Sequence, residues 1–439
     1  MKIQLSDHFT YKMLLQFVLP SIIMMVFTSI YGVVDGLFVS NFVGKTSFAA
    51  VNLVMPFIMI FGGIGFMFGT GGSALVAKTM GEGDKRRANQ YFTMMMVSTL
   101  ICGVIISVLG VVFMEPISVF LGADEEMLPD CILYGRIVLA FNTAYMLQNV
   151  FQSFLIAAEK PKLGLWVTVA AGVTNMALDA LFMAVFHWGV AGAAIATGIS
   201  QIVGGVLPLV YFLRPNSSLL QLTKTKLELR PILQASGNGA SELVSNVTAS
   251  VVGMLYNFQL LRLAGQNGVA AFGVLMYVEF IFAAVFIGYA IGCAPIVSYH
   301  FGAGNRGELQ NLLRKSILLM GVGGLAMVGV AQGLAGPMAR LFVGYDDTLC
   351  QMTVHAFRIA TLSFVLVGFN IFASSFFTAL NDGVVSAIIS FVFKLSAVLL
   401  LPLIWELDGI WWAEVAAEIC AFGLGAAFLL GKRKKYGYM

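Results

Sequence analysis

The run VGKTSFAAVNLVM at residues 43–55 reappears without a gap as AGQNGVAAFGVLM at residues 264–276. At this shift of 221 residues, Gly44, Ala49, Ala50, Met55, Ile60, Phe61, Gly71, Val76, Gly81 and Gly83 meet identical residues at Gly265, Ala270, Ala271, Met276, Ile281, Phe282, Gly292, Val297, Gly302 and Gly304. Further along, with small changes of offset, Pro116 meets Pro337, Gly122 meets Gly344, Arg136 meets Arg358 and Gly189 meets Gly409. A register that persists over most of the chain predicts two halves of one design in parallel orientation. The N-terminal half takes residues 1–213, a polar linker 214–231, and the C-terminal half 232–439.

What fills each half follows from composition. Of 439 residues 59% are apolar and 11% charged, with a mean hydropathy of +0.90, against about 25% charged in a soluble protein. A soluble globule is excluded. Twelve apolar stretches of membrane-spanning length fall at 13–38, 49–77, 91–114, 131–157, 163–186, 190–213, 232–261, 269–298, 315–336, 353–380, 384–404 and 409–431. Alternate connections hold 19 Lys and Arg on one side and only Lys45, Arg262 and Arg340 on the other. Positive charge concentrates in cytoplasmic loops, so both termini are expected there, in a plasma membrane. The expected fold is an all-α integral membrane protein, twelve transmembrane helices in two pseudo-symmetric six-helix bundles, which is a transporter architecture.

Other classes find no support. The net charge of +3 is no nucleic-acid stripe. The four histidines form no HExxH, no phosphate-binding loop is present, and the five cysteines show no CxxC spacing. The chain reads as no enzyme and as needing no cofactor. The apolar run after Lys12 is too long for a signal-peptide core and reads as a retained helix.

An ionisable side chain inside a membrane helix is costly unless it faces a partner or a watered cavity, so each is a site candidate. On the first span Tyr31 and Asp35 stand four apart, on one face, with Pro20 several turns earlier as a place to bend. Asn175 and Asp179 repeat that spacing on the fifth span, Thr197 lies on the sixth, and Gln148 and Gln152 stand four apart on the fourth with Asn142 nearby. Converging, these faces make two carboxylates in a nest of amides and hydroxyls, able to hold a proton or a small cation. The C-terminal half is not equivalent, since Asp35 aligns with Tyr256. It offers Glu279 within Met276-Tyr277-Val278-Glu279, and Lys394, which either pairs with an acid or snorkels; Glu242 and Glu418 read as interfacial.

These residues resemble the multidrug and toxic compound extrusion (MATE) transporters. The resemblance covers the whole chain and rests on Pro20, Tyr31 and Asp35, on Asn175, Asp179 and Thr197, on the stretch from Pro56 to Asp84 containing GTGGSALVA and MGEGD, and on the echo PIVSYHFGAG at 295–304. It implies the branch in which the first-helix aspartate is the proton site: Asp35 takes the proton, Asp179, Asn175 and Thr197 complete its network, Tyr31 and Gln152 adjoin it, and Pro20 is the hinge. Another branch binds sodium through acids of the seventh and tenth helices, and no acid lies between Phe357 and Ala379 here.

The resulting expectation is a multidrug efflux antiporter that exports amphipathic organic cations in exchange for protons, or sodium held by Asp35 and Asp179, by alternating access. Glu279, Tyr277, Met276 and Gln148 are the candidate substrate contacts. Its partners are small organic cations and the lipid bilayer, with the chain acting as a monomer. The alternative within the same superfamily is a flippase of lipid-linked intermediates, which calls for a cationic cavity.

Overall fold

The computed structural model describes residues 3–43, 45–391 and 393–438, without the side chains of residues 40, 45 and 389–391. Gly44 of the repeat and the Lys45 side chain of the charge count lie outside the described residues. Every regular element among those described is helical: α1 Tyr11–Phe42, α2 Lys45–Gly81, α3 Lys85–Phe120, α4 Leu128–Ala140 continued as Asn142–Ala157, α5 Pro161–Asp179 continued by a π turn Ala180–Val185, and α6 Gly189–Leu213. After an irregular linker, the run Leu229–Gly302 holds α7 (229–264) and α8 (266–302), followed by α9 Arg306–Val343. The tenth, α10, is Asp347–Ala360, a 3-10 turn Thr361–Ser363 and Phe364–Ala379. The eleventh, α11, is Gly383–Phe391 and Lys394–Leu400, and α12 (407–436) ends the run Pro402–Tyr436.

Among the described residues nine helical runs are each long and apolar enough to cross a membrane, and three local breaks account for the full twelve. Gly265 takes φ 62° and ψ −150° inside the run Leu229–Gly302, a backbone that only glycine adopts without cost, so one run is two spans. The fourth span is interrupted at Phe141 and the eleventh is built of short pieces ending at a second break, Trp405 and Glu406. The helices also outrun the apolar stretches. Thirty-seven residues in α2 give about 55 Å at 1.5 Å per residue, against a hydrocarbon core of about 30 Å, so their ends stand in the interfaces.

The halves meet through the repeat. A Cβ on Gly81 would stand 2.0 Å from the Tyr299 carbonyl oxygen, and one on Gly302 would stand 1.9 Å from the Lys78 carbonyl oxygen. The repeat shift maps Gly81 onto Gly302 and Lys78 onto Tyr299, so this seam is one contact made twice about a pseudo-two-fold axis. Glycine is required because backbone touches backbone. Deeper in, Gly71 of α2 meets Ala235 and Gly239 of α7 in the same way.

On this same side, where both termini lie, residues 3–9 form a strap. Leu5 and Phe9 are fully buried. The Leu5 N–H donates to Glu159 of the first half (2.9 Å), and the Phe9 N–H donates to Glu308 of the second (2.9 Å). Asn311 and Lys315 both donate to the Phe9 carbonyl. The C-terminal tail is held at the α10–α11 turn, where Lys432 Nζ (2.6 Å) and the Tyr436 hydroxyl (2.5 Å) donate to Asp382. Burial alone pushes the Asp382 carboxyl up, but these two hydrogen bonds and the charges of Lys432 and Lys435 outweigh it and hold the group below the usual carboxylate value. Cys131 and Cys293 are buried and all five cysteines are free, in keeping with a packing role.

Candidate functional site

In the N-terminal half, α1 reaches α5 because Gly172 leaves room: Phe27 and Tyr31 pack over it. Asn175 and Asp179 follow Gly172 at spacings of three and four and so share its face. Asp35, one turn beyond Tyr31, has Asp179 and Asn175 as its polar neighbours. Asp179 is completely buried, Asn175 is buried and Asp35 half-buried. The α-helix widens into the π turn immediately after Asp179, a local irregularity frequent at functional sites.

Further amides and hydroxyls are buried on the neighbouring helices. Gln148, Gln152 and Asn142 of α4 are buried, and Thr197 and Gln201 come from α6. Gln148 sits against Gly204 of α6 and beside Tyr31, so it joins the Asp35 group and not Glu279. Two tyrosines of α4 complete the surround and were not singled out from sequence: Tyr134 lies near both aspartates and Tyr145 near Tyr31.

The electrostatic character of this nest is set by what it lacks. Asp35 Oδ1, both Asp179 carboxylate oxygens, Asn175 Oδ1, Gln152 Oε1, Thr197 Oγ1, Gln201 Oε1 and both polar atoms of the Asn142 side chain are buried and have no hydrogen-bond partner among the described residues. Buried polar atoms are nearly always paired, and here the unpaired ones are concentrated on facing helices. Neither aspartate has an ion pair with Lys, Arg or His among the described residues. An oxygen-rich set without a resident cation suits a shared proton or a hard monovalent ion. No group of three His, Cys, Asp or Glu among the described residues could hold a metal ion.

The C-terminal half contains a cavity of about 390 Å³, the size of a small-molecule pocket. Glu279 and Met276, three apart on α8, line it together with Tyr256 and Phe272, whose rings stack 4.8 Å apart. Tyr277 points elsewhere: it is 39% exposed and stacks on Phe342. The sequence reading of Glu418 as interfacial needs correcting. Glu418 is 4% exposed and is fixed by Lys394 Nζ (2.9 Å) and Asn370 Nδ2 (2.6 Å), while Lys394 also contacts Glu414 (2.9 Å). Lys394 therefore pairs with acids instead of snorkelling. Glu414 and Glu418, four apart in WWAEVAAE (411–418), were the available sequence signal for this network. Pro20 lies within an uninterrupted α1.

Twelve spans in two pseudo-symmetric halves, with acids buried between helices and without a basic partner among the described residues, define a multi-pass membrane transporter. The chain belongs to the MatE family, whose model matches residues 20–181 and 243–403, one segment in each half; this is a family of transporters and not of enzymes. It is similar to the multidrug export protein MepA of Staphylococcus haemolyticus (strain JCSC1435), 23% identical over 420 residues that span 94% of this chain and 92% of that one. In fold it is similar to the outward-facing conformation of a multidrug resistance MATE family transporter of the MOP superfamily, with a TM-score of 0.90, 23% identity and 97% of each chain covered. It also superposes on a MOP superfamily transporter from Pyrococcus furiosus, with a TM-score of 0.88, 24% identity and 97% of this chain and 95% of that one covered.

Proposed function

We propose that the protein is a multidrug exporter that exchanges amphipathic organic cations for protons, with sodium as the alternative coupling ion at the same carboxylates. The observation that carries this is the pair Asp35 and Asp179, adjacent, within an apolar bundle and without a basic partner among the described residues. Two neighbouring carboxylates in a low-dielectric site cannot both stay charged and uncompensated. One proton or one cation therefore binds, and its loss on the opposite side resets the pair. Tyr31 and Gln152 border the site, Asn175 and Thr197 offer it oxygens, and Pro20 is where α1 bends when the proton binds.

The halves 1–213 and 232–439 rock about the linker 214–231. Support comes from the seam, which closes the side of the termini, whereas a Cβ on Gly32, Gly36, Gly253 or Gly273, towards the other side, would meet nothing within 4 Å. With the Lys and Arg excess in the cytoplasm, this state opens outward, ready to release drug and accept a proton. Glu279 and Met276 contact the substrate in the C-terminal cavity. Each pH unit supplies about 1.4 kcal/mol per proton, and 100 mV about 2.3 kcal/mol per charge moved. The acidic lining of that cavity argues against the flippase reading, which needs a cationic one. Cells expressing the protein should retain less of a fluorescent organic cation such as ethidium than cells without it; equal retention would overturn the proposal.

A further inference from the structure

We propose that Lys394 is a tethered counter-ion that sets the charge selectivity of the C-terminal cavity, restricting it to organic cations of low charge. This rests on the export reading above and deepens it. Four acidic or basic side chains line the cavity: Glu279, Glu414, Glu418 and Lys394. They are not equivalent. The Lys394 ammonium stands 2.9 Å from Glu414 and 2.9 Å from Glu418, and Asn370 donates to the second oxygen of Glu418. That acid pair is occupied by the protein's own cation, and Glu418 is almost wholly buried behind it. Glu279 lies near enough to feel all three charges, yet it has no ion pair among the described residues. One carboxylate is open to a ligand, beside the stacked Tyr256 and Phe272 rings that suit a flat aromatic cation.

Lys394 raises the electrostatic potential that any ligand at Glu279 experiences. A ligand carrying two positive charges feels that potential twice as strongly as one carrying one. The ammonium thus selects against dications by repulsion while holding Glu414 and Glu418 closed to them, specificity built by a repulsive element. Neutralising Lys394 must favour a dication over a monocation of the same shape, because it lowers the potential and frees the acid pair Glu414 and Glu418. The arrangement also explains an ion pair inside a substrate cavity, where pairing alone adds little net stability.

The test uses ethidium, a monocation, and propidium, which has the same ring system and one further quaternary ammonium. Uptake of both dyes into proteoliposomes holding the full-length protein is compared for wild type, Lys394→Met, Lys394→Arg and Glu279→Gln. The expected result is ethidium preferred by wild type and by Lys394→Arg, and a propidium-to-ethidium ratio raised on the order of tenfold in Lys394→Met. Glu279→Gln should weaken ethidium transport with Lys394 still in place. If Lys394→Met does not reach the membrane, Lys394→Gln removes the same charge while leaving an amide to donate to Glu414 and Glu418, and carries the same expectation. An unchanged dye ratio in a folded variant that removes the Lys394 charge overturns this inference alone. Transport of neither dye by wild type overturns the export reading and this inference with it.

Discussion

Gly81→Ala should push the two halves apart on the side of the termini. The added Cβ would lie 2.0 Å from the Tyr299 carbonyl oxygen, where an ordinary contact needs about 3.4 Å, so α2 and α8 must separate by about 1.4 Å. Its obstacle is backbone, which cannot rotate away. Overpacking of this kind costs about 1–3 kcal/mol. The cost falls on the closed seam and vanishes in any state where these helix ends part, so the equilibrium between access states should shift by about 5- to 150-fold toward the parted one. Gly302→Ala, against the Lys78 carbonyl, should do the same, and the double variant should cost less than the two singles added, because the first separation relieves the second clash. Electron–electron distances between spin labels at Lys85 and Gly307, both exposed, would read this as a new, longer population. Distance distributions superimposable on wild type in all three variants would refute the reasoning and show that the seam yields locally.

Two further outcomes follow from the ties around that seam and a third from the buried carboxylates. Glu308→Ala leaves the Phe9 N–H and His8 without their acceptor and takes one of two from Asn311; it should cost about 1–3 kcal/mol, read as faster proteolysis within residues 3–10. The Asp382 anchor has a depressed carboxyl, so its contribution is complete above the ordinary aspartate value near 3.8 and is lost as pH falls through the lower folded value; tail protection against a pepsin-type protease should fall over that acid window in wild type and be absent throughout in Asp382→Asn. Asp179→Asn should leave the protein folded, since the carboxylate has no ion pair to lose among the described residues, while abolishing coupled transport; a wild-type rate would remove Asp179 from the coupling site.

How much of this was legible beforehand depends on whether the signal is local. Hydropathy marks spans because lipid acts on each stretch independently, and the repeat is visible because identical glycines are needed on both sides of one seam. The breaks are harder: Gly265 is recognisable as a glycine, but the interruption at Phe141 and the π turn after Asp179 arise from packing between helices. Asp35, Asn175 and Asp179 could be grouped because their fourfold spacing fixes a helix face. By the same rule Met276 and Glu279 share a face and Tyr277, 100° away, does not, so that placement was available and missed. The pairing of Lys394 with Glu414 and Glu418 joins α11 to α12, and the strap joins residues 5 and 9 to Glu159 and Glu308; no periodicity encodes contacts across 20 to 300 positions of chain. Tyr134 and Tyr145 look like any other aromatic in an apolar span until α4 is seen to face α1.

The central claim is tested most directly by uptake of ethidium into proteoliposomes, under an imposed proton gradient and separately under a sodium gradient, with Asp35→Asn alongside wild type. The account predicts uptake driven by the proton gradient, or by sodium if that ion uses the same carboxylates, and lost in the mutant at unchanged incorporation. Uptake by Asp35→Asn equal to wild type, or none by wild type under either gradient, would contradict it.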